Sequence, residues 1–375
     1  MAADLHSWKT VPFSSSVLFF AGVFCLLGAM FLVIASANLD SQSAGDVFLT
    51  VLISGSFAVG WAYAGTTKKY WLFGVFLAAQ VILTRALQPY MRAPHSLAAD
   101  VPALNSKLHL DASVEFVLMV AAYVFFLVFF GREGNRFFRT QTEVRLAGEI
   151  HRTLVPQKHV TIGNFEMFGS SVPSSEVGGD LFDIVQSDGM WHAYVADVSG
   201  HGVAAGILMS MIKSAAAMQL TKLKKPEELL RDLNDVLQPV TAPANYLTFA
   251  YVSGAGGDLS FALAGHLPIL HYQKAGRNVS ELSDSNVPIG MFKDQQFAIS
   301  KMHLAAGDLL ALITDGFTEV FDSSEREIGM EDFKSALSAC AERPLPQIYA
   351  ELRARTLKFG KQSDDQTMLL IRRLA

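Results

Sequence analysis

Uninterrupted apolar segments in the first third of the chain constrain its fold more than any other feature. Four stretches approach the roughly 20 apolar residues that cross a bilayer as a helix: Ser16–Ala37, Val47–Ala64, Tyr70–Leu87 and Val114–Phe130. In a soluble protein, a run such as Val17–Ala35 would need burial on every side, so buried soluble helices are the weaker alternative. We therefore predict an all-α transmembrane bundle of four helices within residues 1–131.

Basic residues in the connecting loops predict the orientation of this bundle. If the helices alternate in direction, one side carries Lys9, Lys68, Lys69, Arg132, Arg136 and Arg139, and the other carries Arg92 and Lys107. The side richer in Lys and Arg normally faces the cytoplasm. Both termini are therefore expected on the cytoplasmic side of the plasma (inner) membrane. The segment Ala35–Ala37 also resembles a signal-peptide cleavage site, but cleavage there would leave the C-terminal domain in the cytoplasm.

Charge separates the two parts of the chain and argues against nucleic-acid binding. Residues 1–156 carry a net charge of +2 and the remaining residues carry −7. Nucleic acids are bound by clustered cations, which a domain at −7 does not offer. Cys25 lies in an apolar run and Cys340 lies in the far domain, so we expect no internal disulfide and a reducing compartment.

Residues 132–156 predict a helical connector between the two parts. Apolar residues recur at steps of three and four, as in a helix: Phe137, Val144, Ala147, Ile150 and Leu154. Pro156 then ends the helix. This stripe fits a helix that lies on its own domain, and it equally fits a parallel two-stranded coil that joins two protomers.

From residue 157 onward, short apolar runs separated by turn residues predict an α+β domain with helices packed outside sheets. The predicted strands are Phe165–Val172, Leu181–Gln186, Trp191–Ala196, Tyr246–Ser253, Leu259–Ala264, Ile269–Gln273, Leu309–Thr314 and Thr367–Arg372. The predicted helices are Ala204–Gln219, Pro226–Leu237, Met330–Ala341 and Pro346–Phe359.

Aspartates stand where several of these strands begin or end. Asp180 opens one strand, Asp197 and Asp315 each close one, and the pair Asp364 and Asp365 precedes the last strand. Carboxylate oxygens are the ligands that Mg²⁺ and Mn²⁺ prefer, and two such ions about 3.5–4 Å apart suit phosphoryl chemistry. The sequence therefore predicts a two-metal site of carboxylates.

The histidines of this domain carry no equally strong signal. A lone histidine is usually structural or lies on the surface, and that interpretation comes first for His192, His201 and His266. A role for His201 in the chemistry is the weaker alternative.

Seven segments, in order, give this region a family resemblance. They are EVRLAGEIHRTLVP, SSEVGGDLFD, DVSGHGVAAGILMS, LAGHLPIL, PIGM, ITDGFTEVFD and DDQTMLLI, from about Val144 to Leu374. The sequence here resembles the SpoIIE-like, RsbU-type branch of the PPM metal-dependent serine/threonine protein phosphatases. The resemblance implies an α/β/β/α sandwich over residues 157–375, with two Mn²⁺ or Mg²⁺ ions. The membrane region shows no such resemblance.

The same resemblance assigns roles to individual residues. Asp180, Asp197, Asp315 and Asp364 would be the catalytic metal-site carboxylates, with the backbone carbonyl of Val198 completing the set. Asp197 would bridge both ions, and Asp180 would act largely through coordinated water. Asp365 stands where eukaryotic relatives commonly carry Asn, so it ranks below its neighbour. Those relatives also hold phosphate with an Arg before the first acid, and residues 172–179 contain none.

The resemblance further implies a phosphorylated protein substrate, typically a STAS-domain anti-anti-sigma factor, and dimeric regulation through the connector. Two other functions remain open at this point. One is a membrane-tethered binding module without turnover, which metal stoichiometry measured together with turnover would distinguish. The other is a phosphatase of small metabolites, which a phosphopeptide panel would separate.

Overall fold

The structure is a computed structural model that describes residues 11–36, 44–91, 101–187, 189–200, 202–221, 226–239, 246–284 and 286–374. The chain divides into two compact units, Met1–Thr140 and Gln141–Ala375. Each unit is considered by itself below.

Long helices make up the described part of the first unit. They are α1 (Phe13–Ser36), α2 (Ala44–Thr66), α3 (Trp71–Met91) and α4 (Val101–Leu154), and each overlaps one predicted span. Aromatic side chains join them, with the Phe19 and Phe126 ring centroids 6.0 Å apart and those of Phe20 and Tyr63 6.4 Å apart. The four-helix transmembrane bundle remains a prediction.

Length and composition single out three described helical segments that could cross a membrane. They are Phe13–Val33, Leu104–Leu154 and Val203–Leu220. Two of them overlap predicted spans, whereas Val51–Thr66 and Trp71–Leu83 are apolar but shorter. The third belongs to the second unit, where Met209, Ile212 and Ala216 are buried in the core.

The predicted connector helix is present as the last part of α4. Gly148 packs so closely that a β-carbon there would lie 2.6 Å from the carbonyl oxygen of Glu176. His151 is only 3% exposed, while Leu146 and Ile150 are 57% and 52% exposed. The last turns of α4 therefore lie on their own domain with one apolar face open, and the two-stranded coil remains a prediction.

The described part of the second unit contains eleven strands in two sheets. The strands are β1 (Lys158–Ile162), β2 (Phe165–Val172), β3 (Asp180–Ser187), β4 (Met190–Val198), β5 (Leu247–Ala255), β6 (Asp258–Ala264), β7 (Ile269–Gln273), β8 (Asn278–Leu282), β9 (Ser300–His303), β10 (Leu309–Ile313) and β11 (Gln366–Arg373). One sheet has the order β1-β2-β11-β10-β7-β8 and the other β3-β4-β5-β6-β9, with all neighbours antiparallel.

Helices cover the outer faces of these two sheets. They are α5 (Val203–Leu220), α6 (Pro226–Leu237), α7 (Gly329–Cys340) and α8 (Leu345–Phe359). One core combines residues of both sheets with α5 and α6, including Val195, Leu263 and Leu369. A second core lies between the six-stranded sheet and the pair α7 and α8, around Phe317 and Leu337. These layers form the predicted two-sheet α/β fold.

Three strands, β1, β8 and β9, were absent from the sequence prediction. Each is an outer strand of its sheet, and each consists of exposed and partly buried residues without a fully buried one. Outer strands of sheets are commonly short and polar, which limits edge-to-edge aggregation. A search for apolar runs therefore finds the central strands and misses these.

Candidate functional site

Asp180 and Asp197 lie directly opposite each other on β3 and β4. Val198 donates its N–H to the carbonyl oxygen of Gly179 at 3.4 Å, so Gly179 and Val198 are a hydrogen-bonded pair. The next pair, Asp180 and Asp197, is then of the non-hydrogen-bonded kind, in which Cα atoms approach to about 4.5 Å and side chains share a face. The ladder itself therefore forces two carboxylates together.

Asp315 and Asp364 emerge together from the other sheet. Asp315 begins a 3₁₀ turn just after β10, and Asp364 lies just before β11. Because β10 and β11 are antiparallel neighbours, the end of one lies beside the start of the other. Thr314 joins this point to the first pair, since its hydroxyl donates to Asp180 Oδ2 at 2.7 Å.

The electrostatics of these acids also indicate one cluster. Burial, followed by the charges of Asp315, Asp364 and Asp365, raises the pKa of Asp197 to about 7. Burial, followed by Asp364 and Glu319, raises the pKa of Asp315 to about 6.

The pKa of Asp180 also lies well above its usual range, through burial first and then through Asp197 and Asp365. The hydrogen bond from Thr314 opposes this rise. The structure thus brings the four predicted aspartates to one point between the sheets.

Asp365 differs from its neighbour Asp364 in its surroundings. Its Oδ1 accepts hydrogen bonds from Ser174 N at 2.6 Å and Ser174 Oγ at 3.0 Å, and its Oδ2 accepts from Gly179 N at 2.7 Å. The side chain is buried, whereas Asp364 is exposed. Asp365 therefore fastens the turn before Asp180.

Two glycines permit this close packing of loops. A β-carbon at Gly178 would overlap the carboxylate of Asp365, and one at Gly316 would overlap the carbonyl oxygen of the same residue. The glycines beside the acids in the sequence are thus explained by close approach.

The donor set fits divalent cations by its chemistry. Crowded carboxylates repel one another, as the raised pKa values of Asp180, Asp197 and Asp315 indicate, and cations would relieve that repulsion. The carbonyl oxygen of Val198 lies beside Gly179, where a β-carbon would approach it to 2.6 Å. Among the described residues, no three His, Cys, Asp or Glu side chains form a ready-made metal cage. The fit therefore rests on charge and on oxygen donors.

The histidines divide among several environments. His201 lies outside the described residues. His192 is buried and shares a hydrogen bond with Tyr251 at 2.7 Å, which fits a structural role. His266 lies beside Thr248, the residue paired with Asp197 across β4 and β5, at 3.3 Å from Nδ1 to Oγ1. Burial lowers the pKa of His266 to about 4, so it is a neutral group near the cluster.

Sequence reasoning missed Thr314 and His151 as neighbours of the acids. Thr314 directly precedes Asp315, and that adjacency was the available signal. Burial lowers the pKa of His151, and the nearby charge of Asp365 opposes this effect. In the sequence, His151 was one polar residue in a helical stripe, and nothing marked its approach to the site.

Comparison with known proteins identifies the domain. The family model of stage II sporulation protein E (SpoIIE) matches residues 187–374. The chain belongs to the SpoIIE family. The predicted resemblance to SpoIIE-type phosphatases is therefore confirmed.

Two curated relatives come from Bacillus subtilis strain 168. The chain is 25% identical to phosphoserine phosphatase RsbU over 238 residues, which cover 62% of this chain and 70% of RsbU. It is 28% identical to phosphoserine phosphatase RsbP over 186 residues, which cover 47% of this chain and 45% of RsbP. Both of these relatives carry the name phosphoserine phosphatase.

Solved structures share the fold of the second unit. The SiaA-PP2C domain of Pseudomonas aeruginosa matches with a TM-score of 0.56 and 22% identity, covering 63% of this chain and 98% of that one. The RsbU and RsbW domains of Rv1364c from Mycobacterium tuberculosis match with a TM-score of 0.52 and 24% identity, covering 59% of this chain and 63% of that one. These matches support the two-sheet PP2C-like fold.

Proposed function

We propose that the chain is a metal-dependent phosphatase of phosphoserine or phosphothreonine in proteins. The observation that carries this proposal is the meeting of Asp180, Asp197, Asp315 and Asp364, which come from two different sheets. A structural role alone does not account for so many crowded acids, because each raised pKa costs folding free energy at neutral pH. Membership of the SpoIIE family supports the same activity.

The proposed mechanism assigns each residue a task. Asp197, whose pKa is raised by burial and by the charges of Asp315 and Asp364, would hold the cations together with those two residues. Asp180 and the carbonyl oxygen of Val198 would complete the set of ligands. When bound, Mn²⁺ or Mg²⁺ supplies positive charge that activates water and stabilises the phosphoryl group during displacement.

Other residues of the chain fix the ligands. Thr314 orients Asp180 through its 2.7 Å hydrogen bond. Asp365 holds the turn that precedes Asp180 by accepting from Gly179 N at 2.7 Å. Both contacts preorganise the acids before substrate arrives, which is the main contribution a protein makes to such a site.

The setting of the enzyme is part of the proposal. The apolar helices of the first unit would anchor it in the plasma membrane, with the phosphatase domain in the cytoplasm. The substrate would be a STAS-domain anti-anti-sigma factor, which is supported by the similarity to RsbU and RsbP. The open apolar face around Leu146 and Ile150 supports a homodimer through the connector.

The activity can be tested on the full-length protein in detergent. Phosphate release from an aryl phosphate and from a phosphoserine protein should require Mn²⁺ or Mg²⁺, and Asp197→Ala should lower kcat by at least about a hundredfold. Asp308→Asn is a control variant, since Asp308 is a buried aspartate that lies at the opposite end of β10 from Asp315.

Three results would each change the proposal. Activity that survives Asp197→Ala would remove the mechanism. Partner binding without metal binding or turnover would favour a binding module. Turnover of small phosphate esters with no turnover across a phosphopeptide panel would favour a metabolite phosphatase.

A further inference from the structure

Among the strands that the structure describes, none pairs with one long side of β3, the strand that carries Asp180. In an antiparallel pair, the backbone N–H and C=O groups of successive residues point alternately towards the partner strand and away from it. Since Gly179 is hydrogen-bonded to Val198 of β4, the residue after it, Asp180, points its backbone groups away from β4. The backbone N–H and C=O groups of Asp180, Phe182 and Ile184 therefore face the open side. Buried backbone groups of this kind need partners from elsewhere in the fold.

Two lysines supply partners along this side. Lys213 of α5 donates from Nζ to the carbonyl oxygen of Phe182 at 3.3 Å. Lys158 of β1 donates to the carbonyl oxygen of Ile184 at 3.4 Å. Their side chains are only 14% and 30% exposed. The two ammonium groups thus replace donors that a further strand would have provided.

Asp183 holds both lysines in place. Its Oδ2 lies 3.0 Å from Lys213 Nζ, and its Oδ1 contacts Lys158 Nζ. Oδ1 also accepts from the backbone N–H of Ile184 at 2.8 Å. The Asp183 side chain is 8% exposed. One buried carboxylate therefore ties β1 and α5 to the middle of β3.

The same helix reaches the proposed metal site at its other end. Helix α5 begins at Val203, just after the loop that follows Asp197 and Val198. Gly202 N donates to the carbonyl oxygen of Val177 at 3.3 Å, and a β-carbon at Gly206 would overlap the Val177 side chain. Helix α5 is thus fixed at its first turn to the turn before Asp180, and about three turns later to β3 itself.

We propose that Lys158, Asp183 and Lys213 form a positioning triad for the metal site. The triad holds β3 and α5 at a fixed spacing, and so keeps Asp180 opposite Asp197 and the Val198 carbonyl oxygen beside Gly179. Its loss lets α5 shift on β3, and the first consequence is weaker binding of divalent cations. This inference rests on the proposed function.

Metal binding to the full-length protein in detergent tests the triad. Free Mn²⁺ is measured by its electron paramagnetic resonance signal during titration, with no substrate present. Asp183→Asn should raise the Kd for Mn²⁺ about tenfold, the effect typical of losing a residue that supports metal ligands.

A matched control separates positioning from stability. The Asp308 side chain is also 8% exposed; it lies 2.9 Å from His271 and accepts from the backbone N–H groups of Lys274 and Ala305. Asp308→Asn should therefore lower the melting temperature as Asp183→Asn does, with a Kd within about twofold of wild type. A lower melting temperature in both variants with an unchanged Kd in Asp183→Asn would overturn the triad.

A second pair of variants covers the case in which Asp183→Asn does not fold. Lys213→Met keeps the aliphatic stem and removes the ammonium group, whereas Lys213→Arg keeps a cation. Lys213→Met should raise the Kd by several fold and Lys213→Arg should restore most of the affinity, while equal Kd values in both would overturn the triad. A wild-type protein that binds no Mn²⁺ would instead defeat the proposed function itself.

Discussion

Asp197→Asn should abolish catalysis and yet stabilise the metal-free protein at alkaline pH. Burial and the charges of Asp315, Asp364 and Asp365 raise the pKa of Asp197 from 3.8 to about 7. In the unfolded chain this carboxyl group has its ordinary pKa, near 3.9. Between those two values the folded protein binds a proton that the unfolded chain has released. The free energy of unfolding therefore falls as pH rises through that window.

The size of the effect follows from the two pKa values. The interval from 3.8 to about 7 corresponds to about 4 kcal/mol at pH 8, where the folded group is forced to ionise. Asn removes the charge and keeps the shape, so about 1–3 kcal/mol of stabilisation should remain after loss of favourable contacts. At pH 5 the wild-type group is protonated in the folded state, and the gain should shrink by more than half.

Pulse proteolysis in urea measures this difference in detergent, because cleavage reports the fraction of unfolded phosphatase domain. Wild type and Asp197→Asn are compared in EDTA at pH 5 and pH 8. Saturating Mn²⁺ at pH 8 should reverse the order, since a ligand of the folded state stabilises only the protein that binds it. A gain that does not depend on pH, or a loss of stability at pH 8, would refute the reasoning.

Three further predictions follow from the same site and from the first unit. Gly316→Ala should destabilise the domain by several kcal/mol, because its β-carbon would overlap the Asp365 carbonyl; an unchanged urea midpoint would contradict this. Thr314→Val should cost about 1–3 kcal/mol in the same assay, since Asp180 would lose a buried donor; an unchanged midpoint would show that the hydrogen bond is dispensable. The full-length protein should stay with membranes after alkaline carbonate extraction, and its release would count against membrane-spanning helices.

The central strands and helices α5 to α8 of the second unit could be predicted because their apolar residues are clustered or periodic. The predicted helix Pro226–Leu237 has the observed bounds, and the other three differ from the observed helices by one residue at one end or at both ends. Strands β1, β8 and β9 could not be predicted, because outer strands need only a few apolar residues to pair. The local pattern of apolar residues therefore predicts which segments are buried, and it does not predict which strands pair at the edges of a sheet.

The site was predictable as a set of residue types and unpredictable as an arrangement. Carboxylates at strand ends indicated a cation site, and the family resemblance selected four of these five aspartates. Pairing register, which brings Asp180 opposite Asp197, is a property of the whole sheet. The contact from Thr314 to Asp180 joins residues of different sheets and has no local signal. The contacts of Lys158 and Lys213 with Asp183 likewise have no local signal in the sequence.

Anomalous diffraction from crystals grown with Mn²⁺ tests the central claim most directly. Data collected at the manganese absorption edge should show two peaks about 3.5–4 Å apart, with Asp197 between them and Asp180, Asp315 and Asp364 around them. Crystals of Asp197→Ala should lose at least one peak. A wild-type map without manganese among these carboxylates, under conditions in which the enzyme turns over, would contradict the account.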